Sequence, residues 1–108
     1  MDMFSALGQP TRRSIIEMLA RNGELSATAI SEKFHMSSPA ISQHLKILRE
    51  SKLVAMEKRA QQRVYKINPD TMLELEGWIK QVSKLWNQRF DALDKLLEEE
   101  KAKQKIKN

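Results

Sequence analysis

The chain has 108 residues, no cysteine, 31% charged and 6% aromatic residues, and a formal net charge of +5. That suits one small, mostly helical domain with a modest core, of a size that often gains stability by self-association. Disulfides and thiolate metal sites are excluded, no apolar run approaches the roughly 18 residues of a membrane span, and no basic-then-apolar leader opens the chain, so the expected protein is cytoplasmic.

In chain order, Met3 to Leu7 reads as a short helical arm. Gln9-Pro10 opens a second helix with Pro in its first turn, an apolar face of Ile15, Ile16, Met18 and Leu19, and a stop at Asn22-Gly23. Ser26 caps a third helix in which Ile30 and Phe34 are i, i+4 partners. His35-Met36-Ser37 leads tightly into a fourth helix, capped by Ser38 with Pro39 behind it. At about 100° per residue, Ile41, Leu45 and Leu48 fall on one face of that helix, and Pro39, Ser42, Gln43 and Lys46 on the other. Two helices joined this closely, the second with a polar outer edge, form a helix-turn-helix.

After Ser51-Lys52 the period falls from 3.6 to 2. Leu53 to Arg59 and Arg63 to Ile67 read as two strands, joined by Ala60-Gln61-Gln62, and the hairpin reads as the wing of a winged helix. No Gly or Asn in the turn supplies easy positive φ, so a longer, mobile tip is expected. Asn68-Pro69 starts a long helix with apolar residues at Met72, Leu75, Ile79, Val82, Trp86, Phe90, Leu93 and Leu97, widened by Trp78, Leu85 and Leu96. Such a stripe exceeds what a small domain needs, and pairing with a second copy is its simplest use. The expected domain covers residues 1–97, with a charged tail over 98–108 that frays.

The charge is local. Residues 37–68 hold seven basic and two acidic residues, while the segments on either side are each neutral. A basic patch on the fourth helix and the hairpin is the footprint of a polyanion-binding surface. Gln43, at the centre of the outer face, suits two hydrogen bonds to adenine, with Ser42 beside it. Lys46, Arg59 and Arg63 suit phosphate or minor-groove contact. His44 lies between the two faces, where a DNA contact and simple packing are both open. Tyr65 shares a strand face with Ile67 and reads as core with a wet hydroxyl. No Gly-rich phosphate loop, Cys nucleophile or arranged Ser/His/Asp set is present, which argues against an enzyme.

Phe4–Leu19 (FSALGQPTRRSIIEML), Ser37–Val54 (SSPAISQHLKILRESKLV) and Glu57–Asn68 (EKRAQQRVYKIN) together resemble the ArsR family of bacterial winged-helix repressors. Leu85–Glu100 (LWNQRFDALDKLLEEE) looks like the metal-independent branch of that family. The resemblance implies a homodimer, joined through its N-terminal and long C-terminal helices, that binds an operator overlapping a promoter and blocks transcription. Matched residue by residue, it implies DNA contacts from Ser38, Pro39, Ser42, Gln43, His44 and Lys46 in the recognition helix and from Arg59, Gln62 and Arg63 in the wing. A dimer interface would use Phe4, Leu7, Leu75, Ile79, Val82, Trp86, Phe90 and Leu93. One departure is Ala60, where many relatives have Gly.

Family metal sites have no counterpart. Where thiolate sensors carry Cys-x-Cys after Glu-Leu, this chain has Ser26-Ala27-Thr28, and no His follows Pro69. His35 and His44 stand alone, so no metal and no cofactor are expected. Two other readings stay open: a winged-helix module that binds an acidic protein, and a repressor released by a small ligand between the dimer helices.

Overall fold

The structure, a computed structural model, describes residues 1–107. The chain divides into two units, Met1–Met72 and the segment from Leu73 onward. The first unit orders as α1 (Met3–Leu7), α2 (Pro10–Asn22), β1 (Glu24–Ser26), α3 (Ala27–Glu32), α4 (Ser38–Glu50), β2 (Val54–Arg59) and β3 (Gln62–Ile67), followed by the first turn of α5 (Pro69–Lys107). Helices with a three-stranded antiparallel sheet make this a winged helix-turn-helix, as the sequence expects.

Local side chains start and stop the helices. Asp2 accepts from the Ser5 amide at 2.7 Å to begin α1. Gln9 accepts from the Arg12 amide at 3.0 Å to begin α2, with Pro10 in the first position, where no N–H is missed. Gly23 ends α2 at φ 83° with its N–H on the Leu19 carbonyl, 2.8 Å away. A Cβ there would touch nothing, so the backbone angle rather than space calls for glycine. Ser26 caps α3 through the Ala29 amide, 3.1 Å. The helix stops at Glu32, so Phe34 packs on the core from the connection rather than from the helix itself. The cap of α4 is Ser37, not Ser38: its hydroxyl accepts from the Ala40 amide at 3.3 Å. Ser38 then takes the first helical position and Pro39 the second.

One element escapes the sequence pattern. Glu24–Ser26 is a strand, and it joins the outer edge of the hairpin to give the order β1-β3-β2. Glu24, Leu25 and Ser26 oppose Lys66, Tyr65 and Val64, while Met56, Lys58 and Arg59 oppose Tyr65, Arg63 and Gln62. Three residues are too few to show an alternation. The hairpin tip is also tighter than expected. Arg59 pairs directly with Gln62, so the loop is only Ala60-Gln61. Ala60 sits at φ 55° and Gln61 has no positive φ, the sign pattern of a type II′ turn. Ala60 therefore does what glycine does elsewhere, at a steric cost.

The core draws on every long element of this unit. Ile15 and Leu19 come from α2, Ile30 from α3, Ile41, Leu45 and Leu48 from α4, and Leu53, Val54 and Tyr65 from the hairpin region, with Ala6 from α1. Each fully buried Leu or Ile contributes about 1.5–3 kcal/mol. The C-terminal end of α4 is fastened to the start of α5. Lys52 adopts φ 64°, the Thr71 hydroxyl donates to its carbonyl at 2.6 Å, and the Asn68 amide donates to the Leu53 carbonyl at 3.0 Å. Asn68 also caps α5, its side-chain oxygen accepting from the Asp70 amide at 3.1 Å.

From Leu73 the second unit is helix only. The helix α5 runs on to Lys107, through most of the charged tail, and Asn108 lies outside the described residues. Residues 98–107 are rich in Glu and Lys with no Gly or Pro, so nothing in them halts a helix. Trp86 and Phe90 stack edge-to-face, centroids 4.9 Å apart. Trp78, Ile79, Val82, Leu85, Trp86, Phe90, Leu93, Leu96 and Leu97 are all between 44 and 60% exposed.

Replacing Ala60 by Gly relieves the positive-φ strain but frees the unfolded chain, and the net expectation is a gain of about 0.5–1 kcal/mol. Urea unfolding checks this, and a lower midpoint for Ala60→Gly would contradict the turn geometry. Leu45→Ala, at a site 2% exposed, is expected to lose about 2–5 kcal/mol through the cavity it leaves.

Candidate nucleic-acid interface

The roll of α4 is set by its buried edge, and its outer edge is therefore presented as a unit. Pro39, Ser42, Gln43, Lys46 and Arg49 are exposed. They form one wall of a groove whose other wall is Arg63 and Tyr65 of β3, with Ala27 at one end. Ser38 and Ser42 also line a neighbouring depression with Thr28, Ser31 and Met36. Lys46 reaches Glu50 at 4.0 Å, an exposed i, i+4 pair too weak to hold its ammonium back.

Strand alternation sorts the wing residues onto two faces. Tyr65 is 5% exposed and faces the core. Arg63, two residues earlier on β3, shares that face but lies beyond the core edge, and so overhangs the groove beside α4. Lys58 is its direct cross-strand partner. Arg59 and Gln62 pair with each other on the opposite face. Arg59 is engaged there. One guanidinium nitrogen donates to Glu24 across the sheet and another donates to Glu57 at 3.0 Å. The hydrogen bond from Arg59, followed by the surrounding positive charge, lowers the Glu24 carboxyl below its ordinary range, and the same two carboxylates raise Arg59. All three are solvent-exposed, so this is a brace of modest strength. The three wing residues singled out by the sequence thus separate: Arg63 stands with α4, while Arg59 and Gln62 stand behind the sheet.

His44 turns inward along the flank of α4, toward α2. Its Nδ1 lies 3.2 Å from Arg12 Nη1. Burial, then the Arg12 charge, lowers the imidazole pKa. Arg12 itself is 7% exposed and donates through Nε to the Ala6 carbonyl at 2.7 Å. Sequence patterning misses Arg12 because an arginine at one position of an amphipathic helix reads as surface. Arg49 and Lys58 enter the sequence reading only as members of the basic patch, although Arg49 continues the Ser42–Lys46 stripe at i+7 and i+3.

Of the interface residues expected on the helices, Leu7 packs on the core of the first unit and Phe4 is 43% exposed. Leu75 is half-buried, and the remaining α5 residues form the exposed stripe already described. Among the described residues no three His, Cys, Asp or Glu side chains group as metal ligands, and no helix is long and apolar enough to cross a membrane.

Residues 9–55 match the family model described as bacterial regulatory protein, arsR family. The chain is 32% identical over 78 residues to the transcriptional repressor SdpR of Bacillus subtilis, covering 72% of this chain and 86% of that protein. It is 31% identical over 97 residues to the HTH-type transcriptional regulator Rv2034 of Mycobacterium tuberculosis, covering 90% and 87%. Among solved structures, an ArsR-like transcriptional regulator from Rhodococcus sp. RHA1 superposes with a TM-score of 0.73 at 25% identity, covering 86% of this chain and 87% of that one. Fold, motif and relatives agree, and the chain belongs to the arsR family of bacterial helix-turn-helix transcriptional regulators, which are not enzymes.

Proposed function

We propose that this regulator is a cytoplasmic, homodimeric repressor that binds double-stranded DNA sequence-specifically and responds to no metal. The observation that carries the DNA reading is the groove in which Ser42, Gln43, Lys46 and Arg49 of α4 meet Arg63 of the wing. The groove sets an amide and a hydroxyl beside three cations, a combination that suits base edges flanked by phosphates. Gln43 reads a base through its amide, Ser42 assists it, and Lys46, Arg49 and Arg63 neutralise phosphates. Ser38 and Pro39, at the start of α4, approach the DNA with its first turn. Arg59 and Gln62, on the other face of the hairpin, serve the wing's shape first.

Dimerisation rests on α5, where nine large apolar side chains from Trp78 to Leu97 are about half exposed. Exposed apolar area on this scale marks an interface. With two-fold symmetry each α4 enters one major groove, the half-sites lie about 34 Å apart, and the operator is an imperfect palindrome. The metal-independent reading rests on the donor set: no Cys, His35 without helix-spaced partners, and His44 set against the cationic Arg12.

Gln43→Ala removes the amide fork and leaves charge and core intact. It is expected to cost about 1–3 kcal/mol on the operator, to relax preference at one base pair per half-site, and to leave random DNA nearly unaffected. Mobility shifts on the operator and all its single-base variants check this; an unchanged base pattern shows that Gln43 is not a reader. A scrambled duplex that competes as well as the operator would favour an acidic protein as partner instead.

Neutralising Arg63 is expected to lower the salt slope of binding by about one unit, and neutralising Arg59 by less, because its charge is already answered by Glu24 and Glu57. Equal losses for the two variants would contradict the sorting of the wing faces. Sedimentation is expected to show a wild-type dimer at micromolar concentration, and Trp86→Lys combined with Phe90→Glu is expected to give monomer or insoluble protein. A well-folded wild-type monomer would end the dimer reading. Zinc, cadmium or arsenite titrated into the operator complex is expected to leave affinity unchanged, and release at stoichiometric metal would refute the metal-independent reading.

A further inference from the structure

Arg12 is the most buried charged group of the first unit, and its partners are unusual. None of the ion pairs among the described residues includes it. Its guanidinium instead meets the Ala6 carbonyl through Nε at 2.7 Å, His44 Nδ1 through Nη1 at 3.2 Å, and Met1 Sδ through Nη2 at 3.9 Å. A buried cation kept without a carboxylate points to something other than charge pairing.

The chemistry of the pair fixes a protonation state. A guanidinium has donors only, so in the Arg12–His44 hydrogen bond the imidazole Nδ1 must accept. A neutral imidazole accepting at Nδ1 carries its proton on Nε2. That Nε2 has no protein partner among the described residues, yet no buried side-chain nitrogen there lacks one. The Nε2–H therefore reaches solvent. Burial and the neighbouring Arg12 charge both hold the ring in its neutral form.

We propose that Arg12 is a positioning residue for DNA binding: it locks His44 in the tautomer that aims an uncharged Nε2–H from the α2-side flank of α4 at a backbone phosphate oxygen. This rests on the reading that α4 enters the major groove. The outer face of α4, with Ser42 and Gln43, meets base edges; its flanks meet the sugar–phosphate walls. A neutral N–H held in place gives direction without adding to the salt-dependent attraction that the lysines and arginines supply. The Ala6 carbonyl anchors the same guanidinium to α1, so one side chain ties three helices together and sets the height of His44 above the groove.

The test begins with wild-type protein. Long-range proton–nitrogen NMR of the free protein is expected to show His44 with bare Nδ1 and protonated Nε2, and an Nδ1–H tautomer overturns the proposal. Titration with a duplex selected by the wild-type protein from random-sequence DNA is expected to shift the Nε2–H resonance; an unmoved resonance also overturns it. His44→Gln keeps an oxygen for Arg12 and an amide donor for phosphate, and is expected to bind within about threefold of wild type, whereas His44→Phe is expected to lose about tenfold on selected and random duplex alike. Arg12→Met is expected to lose similarly and to release the tautomer; should it unfold, the wild-type spectra and the two His44 variants still decide. Wild-type affinity in a folded His44→Phe overturns this inference alone. Failure of the wild-type protein to bind any duplex overturns the DNA reading itself, and this inference with it.

Discussion

Burial of the Ile41–Leu45–Leu48 edge fixes how α4 is rolled, and every other property of the interface follows from that roll. These three side chains are at most 2% exposed. Rolling the helix by half a turn would place Gln43 against the core and Leu45 in water, which the transfer cost of a leucine forbids. Ser42, Gln43, Lys46 and Arg49 face outward because their neighbours cannot. The helix is then pinned at both ends. Ser37 holds its first turn, and the left-handed Lys52 with the Thr71 hydroxyl holds its last. Specific recognition needs side chains held to within a fraction of an ångström, and rigid packing beneath the reading surface supplies this.

The same logic explains what could be read from the sequence. Long periodic elements were legible. The faces of α2 and α4, the hairpin strands and the α5 stripe come from repeated spacing, and caps such as Gln9-Pro10 and Asn68-Pro69 mark their starts. Of the expected DNA-facing residues on α4, Ser38, Pro39, Ser42, Gln43 and Lys46 are exposed on the structure. Legibility failed where the determining partner is distant in sequence. Glu24–Ser26 becomes a strand because Val64–Lys66 offers an open edge about forty residues away. For His44 the sequence leaves packing and DNA contact both open, and only Arg12, on α2, shows that the Nδ1 edge turns inward. Arg59 is retained behind the sheet because Glu24 lies two strands over.

Short local rules failed for another reason. Ser37 and Ser38 are equally good caps in isolation, and packing of Ile41 and Leu45 decides between them by setting where the helix begins. At Ala60 the absence of Gly argues for a loose tip, yet the ladder pairs through to Arg59 and Gln62 and imposes the tight turn. Tertiary pairing outweighs a strain of about 1–2 kcal/mol at one residue.

The Arg59 brace also sorts charge in space. On the outward face of the sheet Glu24 and Glu57 are matched by Arg59 and Lys66, so that face is close to neutral. On the other side Lys46, Arg49, Lys58 and Arg63 gather beside α4, with Glu50 the acidic residue paired to Lys46. The first unit is therefore polarised from front to back. Approaching a polyanion from any direction, such a body experiences a torque before it experiences a contact. In the proposed complex it would arrive with α4 leading, and the search over orientations would be largely over before the first base edge is touched.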